Sequence, residues 1–226
     1  MFSSMEMAAP DAILGLNAAF NSDENPNKIN LGVGVYKDET GITPILECVK
    51  QAERMLMESE NRKSYLGIDG LPEYAKLVRQ TLFGSDVDMS PMVTLQTPGG
   101  TGALRVAGDF LKSKAGASRI WLSNPTWANH GAVFSAAGLA TDSYRYLGDC
   151  GKALDFTGMM ESIAAIPAGD VICLHACCHN PTGVDPTAEQ WSEIAAACAT
   201  GGVLPLIDFA YQGFANGIRE DAAALQ

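Results

Sequence analysis

The stretch HACCHNPTG, residues 175–183, places two imidazoles, two adjacent thiols and an Asn-Pro-Thr-Gly turn at the end of an apolar run. Two chemistries compete for it. His175, Cys177, Cys178 and His179 are soft ligands of the kinds that hold zinc, but successive side chains of an extended strand point to opposite faces, so four near neighbours do not converge on one tetrahedral ion. In the other reading the thiols are core, the imidazoles are support, and Asn180-Pro181 is a turn that aims the Asn180 amide out of the strand end. The spacing favours the second reading, and no metal is expected.

Three further stretches share this form of a strand pattern followed by polar residues. In LQTPGGTGALR, Gly99, Gly100 and Thr101 stand between a strand and a helix, where backbone N–H groups and the helix N-terminus favour an anion such as phosphate. The alternative is a tight turn, since neither the Walker spacing nor the full dinucleotide spacing is present. In WLSNPTWANHGAV, Trp127 and His130 follow a strand, and the indole is either a plate for a planar ring or a core aromatic. In LIDFAYQGF, Asp208 ends a hydrophobic run with Tyr211 three residues on. A carboxylate there needs a positive partner or a donor, and it serves a protonated ring nitrogen as well as a helix cap or a structural ion pair. A phosphate cradle, an aromatic plate, an amide, a carboxylate and a phenol together suit a phosphorylated, planar, basic heterocycle, of which pyridoxal phosphate is the common example.

The elements that must position these groups are legible as periodicities. PDAILGLNAAF reads as a short amphipathic helix, KINLGVGVY as a strand interrupted by glycines, and DETGITP as a turn. Pro44 then opens a helix through ILECVKQAERMLMES, with Leu46, Val49, Ala52, Met55 and Leu56 on its apolar face. Strand patterns follow at MVTLQT, SRIWLS, ATDSYRY, DVICLHA and VLPLIDF. Helical patterns lie between most of them, at ALRVAGDFLKSK, FTGMMESIAAI and TAEQWSEIAAACA, and NGIREDAAALQ looks like the opening of another helix. The alternation predicts an α/β fold, a mostly parallel sheet with helices on both faces and ligands at the carboxyl ends of the strands.

Composition narrows the function. The 226 residues are 47% hydrophobic, enough for a full core, and 15 basic against 26 acidic residues give a formal net charge of −11. With no basic cluster along the chain, nucleic acid is excluded as a partner. MFSSMEMAAPD does not have the form of a secretory signal, and no apolar run reaches membrane-spanning length. Six cysteines at unpatterned spacing read as reduced thiols, which points to the cytoplasm.

In order and spacing, INLGVGVYKDETG, YLGIDGLPEY, TPGGTGALR, SNPTWANH, CHNPTGVDPT and DFAYQGF resemble the class I aminotransferases of the aspartate and aromatic type, which are fold-type I pyridoxal-phosphate enzymes. The resemblance implies an arm and small-domain segment at 1–43 and an incomplete cofactor-binding large domain at 44–226. It implies that Gly99, Gly100 and Thr101 hold the cofactor phosphate, that Trp127 stacks on the ring and that Asp208 pairs with the ring nitrogen. Asn180 and Tyr211 would then bond the phenolic oxygen, with His130 and His175 as support. Gly34, Trp127 and Asn180 would meet the substrate carboxylate, and Tyr65 would reach the phosphate of a partner in a homodimer.

The implied reaction is transfer of an amino group between aspartate or glutamate and a 2-oxo acid, with an aromatic-amino-acid aminotransferase as the alternative within the family. The Schiff-base lysine of the family falls beyond Gln226, and the eight lysines present lie in other stretches. No catalytic residue is therefore assigned here, and this chain alone is expected to be inactive, a non-catalytic truncated fragment being the further alternative. Apolar surface normally covered in the family is expected to be exposed.

Overall fold

The computed structural model describes residues 12–30 and 34–225. The opening stretch 1–11 and Leu31, Gly32 and Val33 of KINLGVGVY lie outside them. The chain divides into two compact units, Met1–Asn61 and Arg62–Gln226.

The first unit contains α1, Ala12–Ser22, and α2, Glu47–Ser59. Helix α2 follows the predicted periodicity but starts three residues beyond Pro44, and Val49, Met55 and Leu56 of its apolar face are exposed. The DETG turn forms around Asp38, whose Oδ1 accepts from the backbone N–H groups of Thr40 and Ile42 and from the Thr40 hydroxyl. The strand expected over KINLGVGVY does not form in its described part, where residues 28–30 and 34–36 are irregular. Glycine-interrupted backbone becomes a strand only where a ladder partner holds it.

The second unit is an α/β layer structure. Its elements run α3 (Pro72–Phe83), α4 (Gly99–Ser113), β1 (Arg119–Asn124), α5 (Asn129–Ala136), β2 (Ala140–Arg145), α6 (Phe156–Ala165), β3 (Val171–His175), α7 (Ala188–Gly201) and β4 (Leu204–Asp208), with a closing 3₁₀ turn at Glu220–Leu225. The four strands pair in parallel in the order β2-β1-β3-β4.

Period-2 alternation divides the core in two. On β3, Val171 and Cys173 join the side built from Leu104 and Leu111 of α4 and Phe134 of α5. Ile172 and Leu174 join the opposite side, with Met159 and Ile163 of α6 and Trp191, Ile194 and Cys198 of α7. A strand buried on both faces has no polar face to alternate, which is why DVICLHA is a nearly continuous apolar run. Phe134 and Ile120 are fully buried, each contributing about 1.5–3 kcal/mol of transfer free energy. A methyl group added at Gly108 would lie 2.9 Å from Ala137 Cβ, so α4 and α5 pack with glycine as the spacer.

Crossover α5 lies on one face while α6 and α7 lie on the other, and the chain reverses direction across the sheet between β1 and β3. Such a switch point opens a crevice at the carboxyl ends of those strands. One predicted strand does not form among the described residues, where MVTLQT has no ladder. Its ties run instead to side chains and a turn, with Gln96 N–H donating to Asp69 O at 3.0 Å and Thr94 Oγ1 accepting from Arg79 at 3.1 Å.

Candidate functional site

Register brings the site together. His175 ends β3 opposite Asp208 at the end of β4, so their side chains leave the same face of the sheet. That face carries α5, which presents His130 from its first turn, fully buried. His130 Nε2 lies 2.9 Å from Asp208 Oδ2, its Nδ1 lies 2.8 Å from Thr126 Oγ1, and the same hydroxyl lies 3.3 Å from His175 Nε2. The backbone N–H of Asn180 donates to His175 Nδ1 at 3.3 Å.

One fixed donor sets the direction of the whole chain. A backbone N–H only donates, so His175 Nδ1 is an acceptor and the neutral ring carries its proton on Nε2. That proton goes to Thr126 Oγ1, the Thr126 hydroxyl donates to His130 Nδ1, and His130 Nε2–H donates to Asp208. The carboxylate thus accepts on one oxygen from His130 and has its other oxygen left for a further partner. This polarity requires a neutral His175. Burial, and then the neighbouring His130, push it down to about 4, against a smaller opposing pull from Asp208.

A parallel chain runs through His179. Val184 N–H donates to Thr182 Oγ1, whose hydroxyl lies 2.8 Å from His179 Nδ1, and His179 Nε2 lies 2.9 Å from Ser123 Oγ. Burial, then His175, push His179 down to about 3. Its ring stacks at 3.9 Å on Tyr146 and at 4.1 Å on His175, which meets His130 edge-on at 5.0 Å. Trp127 in turn stands edge-on to His130 at 5.4 Å. All three histidines of the chain are spent in this wall.

Both imidazoles of HACCHNPTG are engaged in stacking and hydrogen bonds. Among the described residues, no group of three His, Cys, Asp or Glu side chains converges to hold an ion. Burial, the neighbouring Cys178 and nearby carboxylates push the Cys177 thiol up, which keeps it protonated.

The glycine turn starts α4 directly. Gly99, Gly100 and Thr101 are exposed in its first turn, Gly99 has φ +71°, and Pro98 at the N-cap supplies no side-chain cap. A Cβ built at Gly99 or Gly100 meets nothing within 4 Å, so open space faces the helix end. Gly100 and Asp208 both line an apolar cavity of about 640 Å³ beside α3, α4 and β4. Trp127, Asn180 and Tyr211 are half-buried after β1, β3 and β4 respectively. Tyr65 is fully exposed and stands outside this network, and Gly34 lies in the other unit.

Ser123, Thr126, Thr182 and Asp185 are parts of the site that sequence reasoning passed over. Their signal lay inside SNPT and NPTGVD, where hydroxyls stand beside both proline turns and a carboxylate follows the second. Asp185 accepts from the backbone N–H groups of Cys178 and His179 at 2.7 and 2.8 Å.

A family model described as aminotransferase class I and II matches residues 26–225. The aspartate aminotransferase of Salmonella typhi is 52% identical over 229 residues, covering 100% of this chain and 58% of that protein. The aromatic-amino-acid aminotransferase of Paracoccus denitrificans is 44% identical over 223 residues, covering 99% of this chain and 57% of that one. Among solved structures, the aromatic-amino-acid aminotransferase of Burkholderia pseudomallei, covalently bound to pyridoxal phosphate, superposes with a TM-score of 0.92 at 41% identity, over 100% of this chain and 57% of that chain. The chain thus spans somewhat more than half the length of the relatives it matches.

Proposed function

The chain belongs to the class I and II aminotransferase family, and from that premise we propose that it supplies the pyridoxal-phosphate site of an aspartate-type aminotransferase. The observation that carries this reading is the one-way hydrogen-bond chain from Asn180 N–H to Asp208.

The donor set fits the cofactor. Open space at an uncapped helix N-terminus accepts a phosphate, with the Gly99, Gly100 and Thr101 N–H groups and the Thr101 hydroxyl as donors. Asp208, whose side chain is 23% exposed, has one oxygen on His130 and is left able to pair with a protonated ring nitrogen. The Trp127 indole covers a ring face, and the Asn180 amide and Tyr211 phenol donate to the phenolic oxygen. Trp127 and Asn180 take the substrate's α-carboxylate, and Tyr65 reaches a partner's phosphate in a homodimer. When bound, pyridoxal phosphate supplies an electron-withdrawing ring that takes up charge developing at the substrate α-carbon.

The amino donors and acceptors are aspartate or glutamate and 2-oxo acids, in the cytoplasm. The likeness to aromatic-amino-acid aminotransferases keeps an aromatic preference as the second reading. The same proposal takes 1–43 as arm and small-domain segment and 44–226 as the large domain. Residues 1–226 by themselves are expected not to transaminate, because the eight lysines present lie in stretches other than the one where the family places its Schiff-base lysine.

Titration of the purified chain with pyridoxal phosphate, followed by Trp fluorescence and equilibrium dialysis, tests the reading. One saturable site, weakened by D208N, is the expected result. Binding unchanged by D208N, or no saturable binding, would refute it.

A further inference from the structure

The two loops that present Asn180 and Tyr211 have no sheet ladder of their own, so their backbone groups must be satisfied in another way. In each loop one aspartate accepts several of these N–H groups. Asp185 binds the turn before Asn180 in bidentate fashion, Oδ2 accepting from Cys178 N–H at 2.7 Å and Oδ1 from His179 N–H at 2.8 Å. Cys178 has φ +49°, a left-handed conformation that a non-glycine residue adopts only when its surroundings impose it. Asp221, 4% exposed, holds the turn after Tyr211, with Oδ2 accepting from Gly213 and Ala215 N–H at 2.8 and 3.1 Å and Oδ1 from Asn216 N–H at 2.8 Å.

We propose that Asp185 and Asp221 are a pair of positioning residues, each fixing one of the loops that deliver a hydrogen-bond donor to the same cofactor oxygen. The assignment of those donors rests on the function proposed above, whereas the clamps rest on geometry alone. Hydrogen bonds to an ionised carboxylate are roughly twice as strong as neutral ones, so five such bonds give both loops a stiffness their sequences lack. Burial pushes the Asp221 carboxyl up, but the N–H groups of Asn216, Ala215, Gly213 and Gly217 outweigh it and hold the group below the usual carboxylate range.

The Asp185 clamp has a second reach. By fixing His179 N–H it fixes the next residue, whose N–H sets the tautomer of His175 and with it the direction of the chain to Asp208.

Hydrogen exchange and ¹⁵N NMR on the full chain test the pair without cofactor. In the wild type the amides of Cys178, His179, Gly213, Ala215 and Asn216 are expected to be protected although they lie in loops, and His175 to be a single Nε2–H tautomer. D185N should shift His175 toward a tautomer mixture, D221N should leave His175 as it is, and each should raise the Kd for pyridoxal phosphate about tenfold. D185E should recover part of the D185N loss. D155A, which removes the N-cap of α6 and lies on neither loop, serves as the stability control: it should lower Tm while leaving His175 and the Kd unmoved. Exchange of the five amides at free-loop rates overturns the clamps even if the variants fail to fold, as does D155A reproducing the D185N effect. Protected amides and a single tautomer in a chain that binds no pyridoxal phosphate would instead refute the function and leave the clamps standing.

Discussion

Thr126→Val removes one hydroxyl at nearly constant shape and cuts the hydrogen-bond chain in the middle. Its Oγ1 serves His130 Nδ1 at 2.8 Å and His175 Nε2 at 3.3 Å. His130 is 0% exposed, so no water replaces the lost donor, and an unsatisfied buried group costs about 1–3 kcal/mol. The bond to His175 is long and Thr126 is half-buried, so its loss falls at the low end, about 1 kcal/mol. The sum, about 2–4 kcal/mol, is a large share of a stability of about 5–15 kcal/mol. Urea denaturation followed by circular dichroism measures it. Thr126→Ser keeps the hydroxyl and should lose only about 1 kcal/mol for the buried methyl group. In the valine variant His130 is also free to move its proton to Nδ1, which ¹⁵N shifts would report as a tautomer mixture. A T126V protein within about 0.5 kcal/mol of wild type, or a serine variant as damaged as the valine one, would sink the argument.

The depressed pKa values of His175 and His179, about 4 and about 3, lie below the ordinary 6.5. Between those limits the unfolded chain binds protons that the folded chain refuses, so Tm should fall as pH drops from 7 to 4, and H179Q should flatten the slope; a flat wild-type profile contradicts this. Asp208→Asn should weaken pyridoxal phosphate by at least about a hundredfold, the scale for removing one member of a buried ion pair, and fluorescence titration would read it. Cys48 and Cys150 are exposed whereas Cys173, Cys177 and Cys198 are buried, so a thiol reagent should label the first two fast and the buried three only on unfolding. Elemental analysis should find no stoichiometric zinc, and a molar equivalent that disappears in a C177S variant would restore the metal reading.

The extent to which the site was legible follows the range of the forces involved. Strand-end residues announce themselves locally: Asp208 is a carboxylate after an apolar run, and Asn180 stands in a proline turn, so both stand out in the sequence. Four of the five later strand patterns became strands, because apolar runs that satisfy two core faces leave few alternatives. MVTLQT has the same pattern but no ladder among the described strands, since pattern supplies a face and not a partner. Thr126 and Ser123 went unnoticed because a hydroxyl is unremarkable until a buried imidazole lies 3 Å away. Asp185 was quoted within a motif and its work was invisible, because its acceptors are backbone N–H groups that no side-chain pattern encodes.

The amino-acid sequence by itself determined the α/β alternation, the strand-end positions of the chemical groups and the resemblance to a cofactor family, all of which are written in contiguous residues. Only the tertiary structure decided the direction of the proton-bearing chain from Asn180 through His175, Thr126 and His130 to Asp208. Its members come from three strand ends and one helix, with bonded partners up to 78 residues apart, and the direction is set by one backbone N–H. The same packing engages both imidazoles of HACCHNPTG, where His175 and His179 stack at 4.1 Å with both rings kept neutral by burial. Side-chain type fixed what these groups are able to do, and register between β3 and β4 fixed which of those things they do.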